Sequence, residues 1–280
     1  MLGSQWNKTL SLIVGLAAIG CPLQALSAES DGDLLNDTFT ASLGTFLLDT
    51  RTTISLDGSA GNSGTVVDLK RDLGFKDSDR FRVDATWRFA KRHKVRLMYF
   101  DTSRSGTTTL DRDITIRDTV YAVGGDVTAE NSTTVAELAY EYVFLSRDNY
   151  EVAGSAGVHS VKFKFGLSGD GSVNGQPATF STESADTTAP LPVVGVRGLW
   201  KLSPNWYLDA QGQYFQLKLD PYDGKITDLR IGVTRMFGEH FGVGAGYNRF
   251  TTRVGVSKDS FEGQFKWNYS GAQVFITGSF

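Results

Sequence analysis

The segment from Arg80 to Ala90 constrains the fold of this chain more than any other, because two kinds of side chain alternate along it. One face of the predicted strand is apolar and carries Phe81, Val83, Ala85, Trp87 and Phe89. The opposite face carries charges at Arg80, Arg82, Asp84 and Arg88. An apolar face about nine residues long is what a tilted strand needs to cross a bilayer. Because so many charges do not fit the inside of a soluble sandwich, the segment predicts a membrane-spanning strand.

The same period of two recurs along the rest of the chain and predicts ten strands between residues 38 and 280. Short connections are expected near residues 91–94, 146–149, 203–205 and 238–240. They alternate with longer or more polar connections, at 57–79, 107–126, 168–189, 220–224 and 257–260. Closure is required because an open sheet leaves backbone N–H and C=O groups unpaired in hydrocarbon. The prediction is an all-β fold: a single closed antiparallel transmembrane β-barrel of ten strands, with eight or twelve as alternatives.

The faces of two strands need a change of phase or an early exit from the membrane. Asp101 falls on the lipid side of its strand, so either the strand leaves the membrane early or a bulge exchanges its faces. Near the C-terminus we expect a bulge at Ser270–Gly271, which puts Phe265, Trp267 and Tyr269 on the lipid face. In a third strand the alternation predicts apolar residues toward lipid and lysines toward the lumen, namely Val161, Phe163 and Phe165 opposite Lys162 and Lys164.

The N-terminus reads as a secretory signal peptide over residues 1–28. Lys8 supplies its positive region, residues 10–19 are apolar, and Ala25-Leu26-Ser27-Ala28 fits the small-x-small cleavage rule. The alternative is a lipoprotein signal cut before Cys21, which the flanking residues disfavour. Removing residues 1–28 leaves a chain without cysteine, which suits passage through an oxidising periplasm. We therefore expect a periplasmic segment at residues 29–37 and the barrel at 38–280.

The last strand ends on an aromatic residue, Phe280, after the alternating run Ala272, Val274, Ile276 and Gly278. It resembles the closing strand of Gram-negative outer-membrane β-barrels, and residues 38–280 resemble that class at the size of OmpA, OmpW and the omptins. The resemblance implies a place in the cell outer membrane and contact with outer-membrane lipids and lipopolysaccharide. It also implies that the barrel-assembly machinery recognises the terminal strand through Phe280. We expect a monomer, and a formal net charge of −3 gives no reason to expect nucleic acid as a partner.

Charged residues accumulate on the faces predicted to line the lumen. A ten-stranded barrel is narrow enough for side chains to fill, and mixed charges in that space are expected to pair. The alternative is a thin wet channel for small polar solutes. The predicted lumen charges are Arg82, Asp84, Arg88, Arg96, Glu137, Glu141, Lys162, Lys164, Arg197, Asp209, Asp228, Arg230 and Lys266.

Evidence for catalysis is slight. His93 and His240 lie in predicted turns, and His159 points away from its neighbour Ser160 because adjacent residues of a strand face opposite sides. Three pairs of loop carboxylates lack calcium-loop spacing: Asp77 and Asp79, Asp111 and Asp113, and Glu183 and Asp186. We therefore expect no enzyme, cofactor or metal, with a lipid-modifying hydrolase that uses His159 as the remote alternative.

Overall fold

The computed structural model describes residues 33–57, 63–76, 80–116, 118–173, 176–219, 222–258 and 261–280. Within these ranges, the side chains of residues 47–50, 170–190, 218–222 and 256–263 are not described. The predicted signal peptide, residues 1–28, lies outside the described residues, as do residues 29–32 of the predicted periplasmic segment.

Ten long antiparallel strands form the wall of a closed barrel, and the described parts of the connections hold three short strands and one helix. In chain order the elements are β1 (Phe39–Leu56), β2 (Val67–Asp68), α1 (Leu69–Leu73), β3 (Arg80–Ala90), β4 (His93–Thr109), β5 (Ile114–Ile116), β6 (Thr119–Tyr121), β7 (Asp126–Arg147), β8 (Tyr150–Val173), β9 (Gln176–Ser203), β10 (Trp206–Leu219), β11 (Tyr222–Phe237), β12 (Phe241–Lys258) and β13 (Phe261–Ser279). The wall strands are β1, β3, β4 and β7–β13. The predicted ten-stranded barrel is confirmed.

The barrel closes where the last strand pairs with the first. β13 and β1 are in register from Thr40↔Ser279 to Leu56↔Gly263. Phe39 and Phe280 exchange both backbone hydrogen bonds, at 2.8 Å each. Each wall strand therefore has a partner on both sides, which is what a sheet in hydrocarbon requires. Among the described residues, no helix has the length and apolar composition needed to span a membrane.

The short connections lie at one end of the barrel. They are residues 91–92, 148–149, 204–205 and 238–240, as the sequence predicts. We call this end, which also holds Phe39 and Phe280, the short-turn end. The half of the wall next to it carries an apolar outer belt, whose exposed side chains include Leu43, Trp87, Phe89, Leu97, Tyr142, Phe144, Val194, Trp206, Ile231, Phe237, Phe241, Val243 and Val274. The aromatic residues of this belt cluster beside the short turns, as expected for a lipid interface.

The other half of the wall, which we call the projecting half, has the opposite polarity. Its outer face carries Asp101, Ser103 and Ser105 on β4, and Glu130 and Ser132 on β7. Its inner face is buried and carries a large apolar cluster, together with polar side chains such as Thr102, Arg104, Asn131 and Thr252. The strands pass from one half to the other without changing phase, because the register shifts in their pairing lie near strand ends, at residues 88–90, 143–145, 169–171 and 206–207. The environment outside them changes from lipid to water, and the apolar residues then move to the inner face.

Three predictions of strand faces are corrected on this basis. β13 pairs with β1 and β12 without a register shift at Ser270 or Gly271, so no bulge exists there. Phe265, Trp267 and Tyr269 are buried inside the barrel, and Lys266 is exposed. On β8 the assignment is likewise reversed: Val161, Phe163 and Phe165 point inward, while Lys162 and Lys164 are exposed. Asp101 faces outward because β4 leaves the membrane before this residue. A bulge does not explain its position, since β4 continues in register with β7 to Thr109.

The connections at the other end contain more structure than predicted. The expected loop at 168–189 consists largely of the paired ends of β8 and β9, in register to Val173↔Gln176. Residues 57–79 contain α1, whose N-cap Asp68 accepts hydrogen bonds from the backbone of Lys70 and Arg71. Gly74 ends this helix in the left-handed conformation, at φ 67°. Leu69, Leu73 and Phe75 then pack on the apolar interior of the projecting half.

Candidate functional site: the interior of the barrel

The interior contains two layers of different chemistry. Nearer the short-turn end lies a charged layer that holds ten of the thirteen predicted lumen residues: Arg82, Asp84, Arg88, Arg96, Glu137, Glu141, Arg197, Asp209, Asp228 and Arg230. Lys162, Lys164 and Lys266 do not belong to it and lie on the outer face. All three lie in the projecting half, where water surrounds the wall and charged side chains face outward.

Arg96 connects two carboxylates on the neighbouring strand. Its Nη2 lies 2.7 Å from Oε1 of Glu137, and its Nε lies 2.9 Å from Oε1 of Glu141. All three side chains are almost fully buried. Arg197 approaches Glu141 from β9, with 3.6 Å between Nη1 and Oε2. A carboxylate in this position is held by fixed hydrogen bonds, which is the condition for burying charge at a tolerable cost.

A second group of charges crosses the lumen. Arg82 binds Asp84 through two hydrogen bonds, of 2.7 and 2.8 Å, from its Nε and Nη2. Arg230 on β11 approaches Asp84 to 3.2 Å and Asp209 to 3.5 Å. Since β1, β13 and β12 separate β3 from β11 in the wall, the contact between Arg230 and Asp84 spans the interior.

Several members of the charged layer escaped the sequence analysis. Glu151 binds both Lys94, in a short contact, and Arg88, whose Nη2 lies 2.9 Å from Oε2. Lys94 fell in a predicted turn, and Glu151 directly follows one. However, Lys94 lies two residues before Arg96. Residues two apart on a strand share a face, so the inward position of Arg96 indicated that Lys94 also points inward.

His159 also lies in the interior and is completely buried. Its Nε2 is 3.2 Å from Oε2 of Glu137 and 3.2 Å from Oε1 of Gln213. Gln213 in turn donates from Nε2 to Oε1 of Glu137 at 2.6 Å. The imidazole stacks on Phe250 with 5.9 Å between ring centroids. Its contacts make His159 part of the same hydrogen-bonded network as Arg96.

The chain segment before β1 packs into the barrel at the short-turn end. Leu35 is only 5% exposed and lies in an apolar cluster with Leu199, Tyr207 and Met236. Asp33 accepts a hydrogen bond of 3.1 Å from the Tyr207 hydroxyl and lies 3.5 Å from Lys201. We call residues 33–37 the plug segment.

Above the charged layer, in the projecting half, lies an aromatic layer. Tyr269 stacks on Phe250 with ring centroids 5.1 Å apart and on Phe100 at 5.4 Å. Phe46 and Trp267 complete this group, with Phe46 edge-on to Phe100 at 5.8 Å and Trp267 at 5.9 Å from Phe100. Such pairs contribute about 0.5–1.5 kcal/mol each beyond their buried area.

A cavity of about 60 Å³ lies between the plug segment and the charged layer, and Arg88, Arg197, Asp209, Arg230 and Thr277 are among its lining residues. It has room for a few water molecules and not for a sugar or an amino acid. Arg88 Nε and Asp209 Oδ2 are buried there without a protein hydrogen-bond partner. Polar atoms of this kind suit bound water.

Outside the membrane-spanning half, Asp72 fixes α1. Burial alone raises the pKa of this carboxyl, but hydrogen bonds from Arg71, the Asp68 backbone and Arg112 outweigh burial and lower the pKa to about 2. The contact with Arg112 Nη2 measures 2.7 Å. Of the predicted loop carboxylates, Asp113 accepts a backbone hydrogen bond from Val123 at 2.7 Å, and Asp111 is exposed. Asp77 and Asp79 lie outside the described residues, and the side chains of Glu183 and Asp186 are not described.

No protein-family model matches the chain, and no curated protein matches it. Among solved structures, the outer membrane protease OmpT from Escherichia coli superposes with a TM-score of 0.57 at 13% identity, over 91% of this chain and 99% of OmpT. The translocator domain of the autotransporter NalP from Neisseria meningitidis gives a TM-score of 0.41 at 10% identity, over 88% of this chain and 90% of that one. Ail of Yersinia pestis gives 0.29 at 12% identity, over 84% and 97%. The closed ten-stranded wall and the superposition with OmpT show that the fold of this chain is that of the small β-barrels of bacterial outer membranes.

Proposed function

We propose that this chain is a non-enzymatic barrel of the cell outer membrane, with a sealed interior and with a projecting half that meets lipopolysaccharide or external partners. Residues 1–28 act as its cleaved export signal, and Phe280 marks it for the barrel-assembly machinery. It works as a monomer.

One observation carries the sealed interior: the charged layer crosses the lumen, with Arg230 of β11 against Asp84 of β3. The plug segment lies on one side of this layer and the aromatic layer on the other. A solute would have to break buried ion pairs and then part stacked rings, and each barrier costs several kcal/mol.

A conducting pore is the first competing function, and conductance decides between the two. Purified protein in planar bilayers is expected to give no unitary steps. The Asp84→Ala/Arg230→Ala variant removes the contact that crosses the lumen but keeps the aromatic layer, so it should also give no steps. Adding Phe100→Ala and Tyr269→Ala to it removes both barriers and should allow current. Stable unitary steps from the unaltered protein would refute the sealed interior.

A hydrolase is the second competitor, since OmpT is a protease. His159 is completely buried between Glu137, Gln213 and Phe250, where no lipid or peptide reaches it. This position supports a structural role for the histidine. Cells that carry His159→Gln should therefore keep the lipid A mass profile of cells with the unaltered protein, and a changed profile would argue for the hydrolase.

A further inference from the structure

Five cations form one group on the outer face of the projecting half, and we call them the basic patch: Arg51, Lys225, Arg249, Arg253 and Lys266. All five are exposed. They come from β1, β11, β12 and β13, which are neighbours in the wall. Among the ion pairs between described residues, none involves a member of the basic patch.

The register places three of these cations in one row. Lys225 lies directly opposite Arg253, and Arg253 lies directly opposite Lys266. Side chains in such pairs have Cβ atoms about 5 Å apart, and like charges there destabilise a sheet. Lys225 lies 5.7 Å from the ring centroid of Tyr214, and Arg253 faces the Gln264 amide. One carboxylate, Asp223, lies diagonal to Arg253 because it pairs with Gly255, so the three cations of the row have a single acidic neighbour among the described side chains. The row therefore carries a repulsion that an anion would relieve.

The basic patch borders directly on the apolar belt. Tyr247, on the outer face of β12, belongs to the belt, and Arg249 is the next outward residue on that strand. The two residues are about 7 Å apart along the strand. A groove of about 420 Å³ runs across this boundary and is lined by Arg51, Tyr247, Arg249 and Lys266, among others. A ligand of the groove thus meets cations at one end and the surface of the acyl-chain region at the other.

We propose that the basic patch binds the phosphorylated headgroup of lipopolysaccharide, whose acyl chains lie against the belt below it. This proposal rests on the outer-membrane location proposed above. Long loops mark the outward side of such barrels, which places the patch just above the leaflet that holds this glycolipid. Arginine and lysine bind phosphate through charge-assisted hydrogen bonds, and basic residues beside a membrane attract anionic headgroups.

The continuity of cations with the apolar belt favours a lipid over a soluble acidic polymer or a protein. A soluble polyanion gains nothing from the belt, since the belt is already covered by the bilayer. A phosphorylated glycolipid satisfies both surfaces at once.

The opposite side of the barrel supplies a matched control. Lys162 and Lys164 are exposed on β8, in the same half of the wall. Glu130 of β7 lies diagonal to Lys164, because Glu130 pairs with Gly166 and Ser132 pairs with Lys164. Replacing Lys162 and Lys164 with glutamine changes the net charge by the same amount as replacing Arg253 and Lys266 of the basic patch.

The experiment measures binding of bisphosphorylated lipid A and of dephosphorylated lipid A in detergent micelles, by native mass spectrometry. The unaltered protein should retain the bisphosphorylated form and bind the dephosphorylated form at least tenfold more weakly. Arg253→Gln/Lys266→Gln should weaken binding of the bisphosphorylated form about thirtyfold, taking about 1 kcal/mol for each cation at a membrane surface and 1.4 kcal/mol per tenfold. Lys162→Gln/Lys164→Gln should leave it within about threefold.

Equal losses in the two double variants would overturn the proposal, because binding would then follow overall charge. So would equal binding of the two lipid forms, or no loss in the basic-patch variant. None of these results bears on conductance, so the patch can fail while the sealed interior stands.

Stability separates lost binding from lost folding. Without lipid A, Arg253→Gln/Lys266→Gln relieves the repulsion in the row, so its thermal midpoint should be equal to or above that of the unaltered protein. If this variant nevertheless fails to refold, Arg51→Gln/Arg249→Gln serves in its place, since these residues flank the row and have no charged side chain directly opposite. If Arg51→Gln/Arg249→Gln then bound bisphosphorylated lipid A with unchanged affinity, the proposal that the basic patch binds this lipid would be refuted.

Discussion

Arg96 offers the sharpest test of the charged layer, because it contacts Glu137 and Glu141 by three hydrogen bonds of 2.7, 2.9 and 3.3 Å. Replacing Arg96 with glutamine leaves two buried carboxylates short of a cation. Breaking one partner of a buried ion pair costs about 3–5 kcal/mol. Since Glu141 keeps Arg197 and Glu137 keeps Gln213, we expect the lower end of that range, about 3 kcal/mol.

The assay is urea unfolding of protein refolded in phosphatidylcholine vesicles, followed by tryptophan fluorescence. Arg96→Gln and Glu137→Gln should each lower the free energy of unfolding by about 3 kcal/mol. The double variant should lose at least 1 kcal/mol less than the sum of the two, because the two residues interact directly. Arg249→Gln, an exposed cation on the same barrel, should change the free energy by about 0.5 kcal/mol or less.

Additive losses within about 0.5 kcal/mol would refute the reasoning, since the ion pair would then contribute no coupling energy. A single-variant loss below about 1 kcal/mol would do the same. Either result would mean that water screens these charges in the lumen.

Three further predictions concern the projecting half. Trp267→Ala should reduce the free energy of unfolding by about 3–5 kcal/mol in the same urea assay, because the indole is almost fully buried in the aromatic layer. Gly106→Val should detach α1, because a Cβ at this position would lie 2.6 Å from the Leu73 carbonyl oxygen. Faster proteolysis within residues 57–79 would show the detachment, and Gly166→Val, where a Cβ meets no atom within 4 Å, should leave the proteolysis rate unchanged. The pKa of Asp72 is lowered from 3.8 to about 2, so its carboxylate stabilises α1 above about pH 4 and loses this effect as the pH falls toward 2. After allowance for the exposed arginines that bind it, the contribution is about 1–2 kcal/mol; acid should increase hydrogen exchange in α1, and Asp72→Asn should abolish that dependence.

The sequence predicts the wall of the barrel well, because each constraint on it is local. A strand that faces lipid must show period two, and Arg80–Ala90 shows it so plainly that strand and bounds agree with β3. The four short turns follow in the same way. Most of the charged layer can be predicted in the same way. Once one residue of a strand is known to face lipid, its immediate neighbours must face the lumen.

In the projecting half the apolar residues face inward and the polar residues face outward, and this reversal could not be predicted from the alternation alone. Period two tells which residues share a face, but it does not tell which face is inside. Phe265, Trp267 and Tyr269 look like lipid-facing residues only if the membrane still surrounds β13 at that height. Val274 and Ile276 face lipid, so an unbroken alternation through Ser270 would have placed Phe265, Trp267 and Tyr269 inside the barrel.

Two other features depend on long-range contacts that no local pattern records. The approach of Arg230 to Asp84 joins residues far apart in the sequence. The basic patch joins strands from both ends of the chain, β1 and β13 among them. By contrast, α1 had local signals, an N-cap at Asp68 and a glycine at residue 74, and could have been predicted.

Cysteine labelling along β12 tests the central claim, that the strands keep one phase while the projecting half has water outside and a packed interior. Thr251 faces outward and Thr252 is fully buried, so single cysteines at these positions differ little in chemistry but greatly in exposure. In the chain without residues 1–28, which has no other cysteine, a membrane-impermeant maleimide should label Thr251→Cys rapidly and leave Thr252→Cys unlabelled until the barrel unfolds. Rapid labelling of Thr252→Cys in the folded barrel would contradict the account, because water would then reach the interior of the projecting half.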